Sequence, residues 1–204
     1  IKQRIDDFVI PTYARFDLAF TRGEGSHLYD ASGNRYLDLG TGIATACLGH
    51  GNAEIAAALA EQAGKLTHVS NLYYTEPQGQ FAEKLVTHAG GSGKVFFCNS
   101  GAESNETLFK IARFYGHGEG RFEILTATGS FHGRTLAGIA ATGQDKVKEG
   151  FSPAVAGFRH VPFNDLEAVQ KSVSSETVAI MIEGIQGEGG IHLADPEYLL
   201  GVRK

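Results

Sequence analysis

Three short stretches of this chain gather side chains that could do chemistry. The first is CNSGAES, residues 98–104. Ser100 and Glu103 stand at the S-x-x-E spacing of a capping box, which opens a helix by satisfying its first donors. Gly101, just inside that start, would let a ligand approach the backbone. The uncovered N–H groups and the positive end of the helix dipole then suit a phosphate or carboxylate. A plain capped helix is the other reading these residues leave open. The pattern is neither G-x-G-x-x-G nor a Walker loop, so no nucleotide is specified.

The second stretch is TGSFHGRTLAG, residues 128–138, directly after the apolar run FEILTA. Phe131, His132 and Arg134 stand between glycines where a strand would end, the place at which open α/β sheets bind ligands. Phe131 could stack on a planar ring and Arg134 could hold a carboxylate through two hydrogen bonds. An ordinary core phenylalanine and an exposed surface charge are the competing readings. The third stretch is VAIMIEGIQGEGGI, residues 178–191, where Glu183 closes an apolar strand before a glycine-rich turn. A carboxylate there could orient a cation or accept from a bound ligand, with Gln186 and Glu188 as neighbours; a structural acid is the alternative, preferred for Glu188.

Other chemistries lack their motifs. The histidines form no HExxH pair and Cys47 and Cys98 no C-x-x-C, so no metal site is expected. Ser100 is not in a G-x-S-x-G elbow, which argues against a serine hydrolase. The net charge of −5 argues against a nucleic-acid surface, and no apolar run reaches membrane-spanning length. A soluble, cytoplasmic protein with no membrane or nucleic-acid partner is expected. Cys47 and Cys98, among apolar or small neighbours, are expected as buried free thiols in a reducing compartment.

These residues need elements to position them. With 42% hydrophobic and 20% charged residues the chain is of ordinary globular composition, and its 27 glycines imply many tight turns. Residues 20–42 alternate in short segments broken by Gly-Glu-Gly and Ser-Gly-Asn, which predicts a small antiparallel meander. GNAEIAAALAEQAGKL predicts a helix capped by Asn52, and QFAEKLVTHA another. Strands are then predicted at KVFFCN, FEILTA, FRHVP and VAIMIE, with helices at 101–115 and DLEAVQKSV between them. Leu108, Ile111, Ala112 and Tyr115 are expected to face the core, with Gly116 just past the helix end. Such alternation predicts an α/β fold with a mostly parallel sheet covered on both faces.

Taken together, NSGAESNETLFKIAR, SFHGRTLAGIAATGQ and VPFNDLEAV…IEGIQGEGGI resemble, in order and spacing, the class III pyridoxal-phosphate-dependent aminotransferases. Within that family the resemblance is nearest the acetylornithine branch, and with LGTGIATACLGHGNAEI and HVSNLYYTEPQ it covers essentially the whole chain. The resemblance implies the type I fold of pyridoxal-phosphate-dependent transferases, in part. Residues 1–45 would belong to the small domain, and 46–204 to the first part of the large cofactor-binding domain, with the C-terminal half absent. It implies pyridoxal 5'-phosphate as cofactor, an amino donor and 2-oxoglutarate as substrates, and a homodimer.

Position by position, the resemblance places the cofactor phosphate on Gly101 and Ala102, beside Ser100. It places the pyridine ring under Phe131, the substrate α-carboxylate on Arg134, and Glu183 along the site wall. Asn71 and Tyr73 fall in the segment that approaches the active site across the dimer interface. The family's Asp for the pyridine nitrogen and its Schiff-base lysine come later than residue 204, so no catalytic residue is assigned: Lys94 begins a strand, Lys110 sits on the cofactor-side helix and Lys204 is terminal. Gly184 stands where the family usually has proline. The implied reaction is transfer of the amino group of N2-acetyl-L-ornithine to 2-oxoglutarate, with succinylornithine, ornithine or 4-aminobutyrate as other donors. Two further expectations compete with it: a catalytically incompetent fragment, and a plain α/β anion-binding domain.

Overall fold

The computed structural model describes all 204 residues, which fall into two compact units, Ile1–Ala89 and Gly90–Lys204. The first unit carries the expected meander. Strands β1 (Phe20–Glu24), β2 (His27–Asp30) and β3 (Arg35–Leu37) pair antiparallel in that order. The β2–β3 turn is organised by Asp30, whose carboxylate accepts from the Ser32 and Asn34 N–H groups, the Asn34 carboxamide and the Tyr36 hydroxyl at 2.8–3.0 Å. Those bonds, led by the Asn34 side chain, hold its carboxyl below the usual range. After β3, Asp38 accepts from the N–H groups of Gly40 and Thr41, and its Oδ2 lies 2.6 Å from His50 Nε2. Between these partners the turn Thr41–Ala44 keeps φ positive at every residue. Helix Ala53–Lys65 is capped as expected by Asn52, which accepts from the N–H groups of Glu54 and Ile55, and helix Glu76–His88 follows.

The second unit is built on a parallel sheet in the order β5–β4–β6: β4 is Glu123–Ala127, β5 Phe158–Val161 and β6 Thr177–Met181. All five residues of β4 are buried, as befits a central strand with a parallel neighbour on each side. Side chains alternate along β6 from Ala179 onward: Ala179 and Met181 pack with Phe109, Ile124 and Ala141, and Val178, at a shift in register, joins them. Ile180 and Ile182 pack on the opposite face with Val161, Val169 and Tyr198. Helices Gly101–Gly116 and Leu136–Ala141 supply the first cluster, and Leu166–Ser172 and Pro196–Arg203 the second. A short antiparallel pair, β7 (Ile185–Gln186) and β8 (His192–Leu193), follows β6. No helix is long and apolar enough to cross a membrane.

Four expectations are corrected. KVFFCN forms no ladder: residues 94–98 are not part of any sheet, and an apolar run becomes a strand only when a neighbour satisfies its backbone. On helix Gly101–Gly116 the inward stripe is Ala102, Asn105, Glu106, Phe109, Ala112 and Gly116, while Leu108, Ile111 and Tyr115 are exposed. The inward stripe includes an amide and a carboxylate that hydrogen bonding, not hydrophobicity, draws inside. Gly116 is the last residue of the helix and not the position past it; a methyl group there would overlap the Arg121 carbonyl oxygen and crowd Val178, so close packing requires glycine. The left-handed residue comes later, at Gly120 after a short 3-10 turn. Cys47 and Cys98 are free, as expected, but exposed and not buried: neither lies on an element whose inward face reaches the core.

Candidate functional site

The chain leaves the central strand β4 at Ala127 and runs through Thr128–Thr135 before helix Leu136–Ala141 begins. With β5 on one side of β4 and β6 on the other, this carboxyl end is a point where connections diverge, the usual ligand crevice of an open sheet.

The loop is fixed from several directions. Gln186 is buried and its Nε2 donates to the Thr128 carbonyl at 2.9 Å. The buried Ser130 hydroxyl accepts from the Gly143 N–H at 3.0 Å, and Ser130 O accepts from Gln144 Nε2 at 3.1 Å. Phe131, half-buried, donates its N–H to Glu183 Oε2 at 3.3 Å, joining two of the residues singled out from sequence. Burial raises the Glu183 carboxyl above its ordinary range, and the Phe131 bond only partly offsets this.

The other wall is the start of helix Gly101–Gly116. Ser100 Oγ accepts from the Glu103 N–H at 3.2 Å, as the spacing predicts. The returning half of the box is displaced: Glu103 Oε2 takes the Asn99 N–H at 2.5 Å, one residue earlier than the cap. The first N–H groups of a helix have no intrahelical acceptor, and once Glu103 is satisfied those of Gly101 and Ala102 remain for a ligand. Beyond its chain neighbours and its own helical turn, no atom lies within 4 Å of where a Gly101 side chain would begin, so that flank of the helix start is open. The loop packs on this wall at Gly133, whose missing Cβ would lie 3.3 Å from Ala102. Arg134, next along, is exposed.

Ser100, Gly101, Ala102, Phe131, Arg134 and Glu183 are thus carried by adjoining segments of one unit. Asn71 and Tyr73 belong to the other unit, in an exposed turn before helix Glu76–His88. Of the two neighbours noted for Glu183, Gln186 anchors the loop and Glu188 is exposed.

Sequence reasoning passed over Asn105, Glu106, Thr135 and Thr142. Asn105 Nδ2 donates to the His132 carbonyl at 2.9 Å, and the Thr135 hydroxyl donates to Glu106 Oε1 at 2.5 Å. Thr135 Oγ1 also accepts from the Gly138 N–H at 3.0 Å, an N-cap that a threonine before LAGIAA could have signalled. The His132 N–H donates to Thr142 Oγ1 at 2.9 Å.

A family model for aminotransferase class III matches residues 9–204. The chain belongs to the class III aminotransferases. Its similarity to individual class III members is extensive. It is 50% identical to an acetylornithine aminotransferase of Gloeobacter violaceus, over 100% of this chain and 52% of that protein. Among solved structures, the N-acetylornithine aminotransferase of Stenotrophomonas maltophilia is 33% identical with a TM-score of 0.81, over 100% of this chain and 50% of that one. The ornithine aminotransferase of Toxoplasma gondii, in a structure described as having partial occupancy of PLP at its active site, is 25% identical with a TM-score of 0.91, covering 99% and 49%. The chain spans about half the length of the curated relatives it matches.

The class III loop also contains a group that should make the fold acid-sensitive. Burial, and then the neighbouring His160, hold the His132 imidazole down at about 4. Folded His132 therefore stays neutral where the unfolded chain, near the ordinary 6.5, binds a proton. Its contribution to stability is intact above that value, declines as pH falls toward 4, and levels off below. We expect a loss of about 2 kcal/mol between pH 7.5 and 4.5 from this group. Denaturant midpoints at the two pH values, for the parent and His132→Gln, check it: the drop should shrink in the variant, and an equal drop would assign the effect elsewhere. Glu183, displaced upward, works in the opposite sense in both proteins and cancels in the comparison.

Proposed function

We propose that the protein is an aminotransferase that moves the amino group of N2-acetyl-L-ornithine to 2-oxoglutarate with pyridoxal 5'-phosphate as cofactor. It would act as a cytoplasmic homodimer, yielding N-acetyl-L-glutamate 5-semialdehyde and L-glutamate. The observation that carries this reading is the seating of the Phe131–Arg134 loop on the open helix start at Gly101, in a chain of this family. The residues present fit the cofactor: an approachable backbone and helix dipole for its phosphate, and an aromatic side chain beside a half-buried carboxyl for its ring.

In this reading Ser100, Gly101 and Ala102 hold the phosphate, with hydrogen bonds and the helix dipole supplying affinity that does not depend on the reacting end. Phe131 lies against the ring and Glu183 fixes the backbone of that aromatic. Arg134 takes the substrate carboxylate, which orients the donor for proton removal at C5, the carbon that bears the transferred amino group. Asn71 and Tyr73 are assigned to substrate contacts made across the dimer. When bound, the cofactor supplies an electron sink and carries the amino group between the two substrates.

The donor is tested by steady-state kinetics of the full-length protein with 2-oxoglutarate as acceptor. The expected result is a kcat/KM at least about tenfold higher for N2-acetylornithine than for ornithine, succinylornithine or 4-aminobutyrate, a preference of roughly 1.4 kcal/mol at the transition state. A higher value for any of the other donors would reassign the substrate. Absence of cofactor binding by the purified protein would remove the aminotransferase reading and leave an anion-binding domain.

A further inference from the structure

We propose that Asn105 and Glu106 are positioning residues that hold Arg134 in register with the phosphate cradle on their own helix. This rests on the role given to Arg134 above. The chain on either side of Gly133–Arg134 is tied to the same helical turn, once by backbone and once by side chain: His132 O accepts from Asn105 Nδ2 at 2.9 Å, and the Thr135 hydroxyl donates to Glu106 Oε1 at 2.5 Å. Both helix residues lie one turn beyond Gly101 and Ala102, on the inward stripe. Cradle and arginine are therefore measured from one rigid element.

The two ties differ in strength and exchangeability. The threonine–carboxylate bond is short and charge-assisted. A hydroxyl has one proton to give, and Thr135 gives it to Glu106 while its lone pair takes the Gly138 N–H at 3.0 Å and caps the next helix. Without Glu106 that proton would turn elsewhere, and the Arg134 segment would lose its charge-assisted tie to the helix while keeping the Asn105 tie and the Gly133–Ala102 packing. The Phe131 end of the loop has separate fastenings to Glu183 and Thr142, the latter through His132, so it should be little disturbed.

This partition gives a specific signature. Both substrates can present to Arg134 the carboxylate remote from their reacting carbon, C1 of N2-acetylornithine and C5 of 2-oxoglutarate, so losing the tie should weaken both together and leave cofactor binding and the chemical step nearly intact. In the full-length holoenzyme, Glu106→Ala should raise KM for both substrates, and the calorimetric Kd for 2-oxoglutarate, about tenfold, the scale of one lost hydrogen bond to a charged group, with kcat and Kd for pyridoxal phosphate within about twofold. Glu106→Gln keeps an acceptor for the Thr135 hydroxyl and should restore all three values to within about threefold. Thr135→Val removes the same bond from the other side and carries the same expectation should Glu106→Ala not accumulate; Thr135→Ser retains both bonds and is its control.

A Glu106→Ala protein with unchanged substrate affinities overturns the positioning role, as does one that weakens only a single substrate or only cofactor retention. A parent protein that binds no pyridoxal phosphate overturns the proposed function instead, so the two failures are distinguishable.

Discussion

Gly101→Leu is expected to fold normally and to bind pyridoxal phosphate roughly 100-fold more weakly than the parent, through loss of several charge-assisted hydrogen bonds at once. The space around the position is empty within 4 Å, so the new side chain meets no protein atom at its base. Its only harm is to whatever must approach the N–H groups of Gly101 and Ala102. The measurement is a titration of the cofactor-free full-length protein, followed by absorbance, beside a thermal melt. A variant that melts at the parent temperature and retains parent affinity would place the phosphate somewhere other than this helix start.

Gly143→Ala should act in the opposite way, on the fold first. A methyl group at Gly143 would overlap the Ala127 carbonyl oxygen and lie 2.7 Å from the Thr128 Cα, all of it backbone with no rotamer to yield. Gly143 also donates to Ser130 Oγ, and its carbonyl accepts the Gly129 N–H at 2.9 Å. Moving it aside would break the floor of the loop. A destabilisation of about 3 kcal/mol or more is expected, at the upper end for overpacking. Urea denaturation reads it as a lower midpoint at constant m-value. A cost under about 1 kcal/mol would mean that the β4 exit relaxes far more readily than its contacts imply.

The two glycines also mark how far sequence could be read. The cap at Ser100 and the strand before Thr128 were readable because each is local, the one a side chain and a backbone N–H three residues apart and the other a continuous apolar run, whereas the bond that Glu183 accepts comes from 52 residues away. The meander followed from short alternating segments broken at glycines, and the parallel sheet from strands that alternate with helices. The inward face of helix Gly101–Gly116 was misassigned because Asn105 and Glu106 are polar, and their partners His132 and Thr135 lie 27 and 29 residues away. No periodicity encodes a hydrogen bond at that separation. The segment 94–98 failed for a related reason, because a ladder depends on a partner strand and not on the run itself.

Two of the fastenings described above have a temporal meaning. Phe131 is held by Glu183 and Thr128 by Gln186, partners 52 and 58 residues further along. A nascent chain that has emerged only through β5 already contains the helix start, the aromatic and the arginine, yet lacks the carboxylate and carboxamide that fix the loop. Closing such long loops comes late and slowly in a parallel sheet. During synthesis the Phe131–Arg134 loop is therefore fastened only once the chain has passed β6, and before that it lacks the two side chains that hold it.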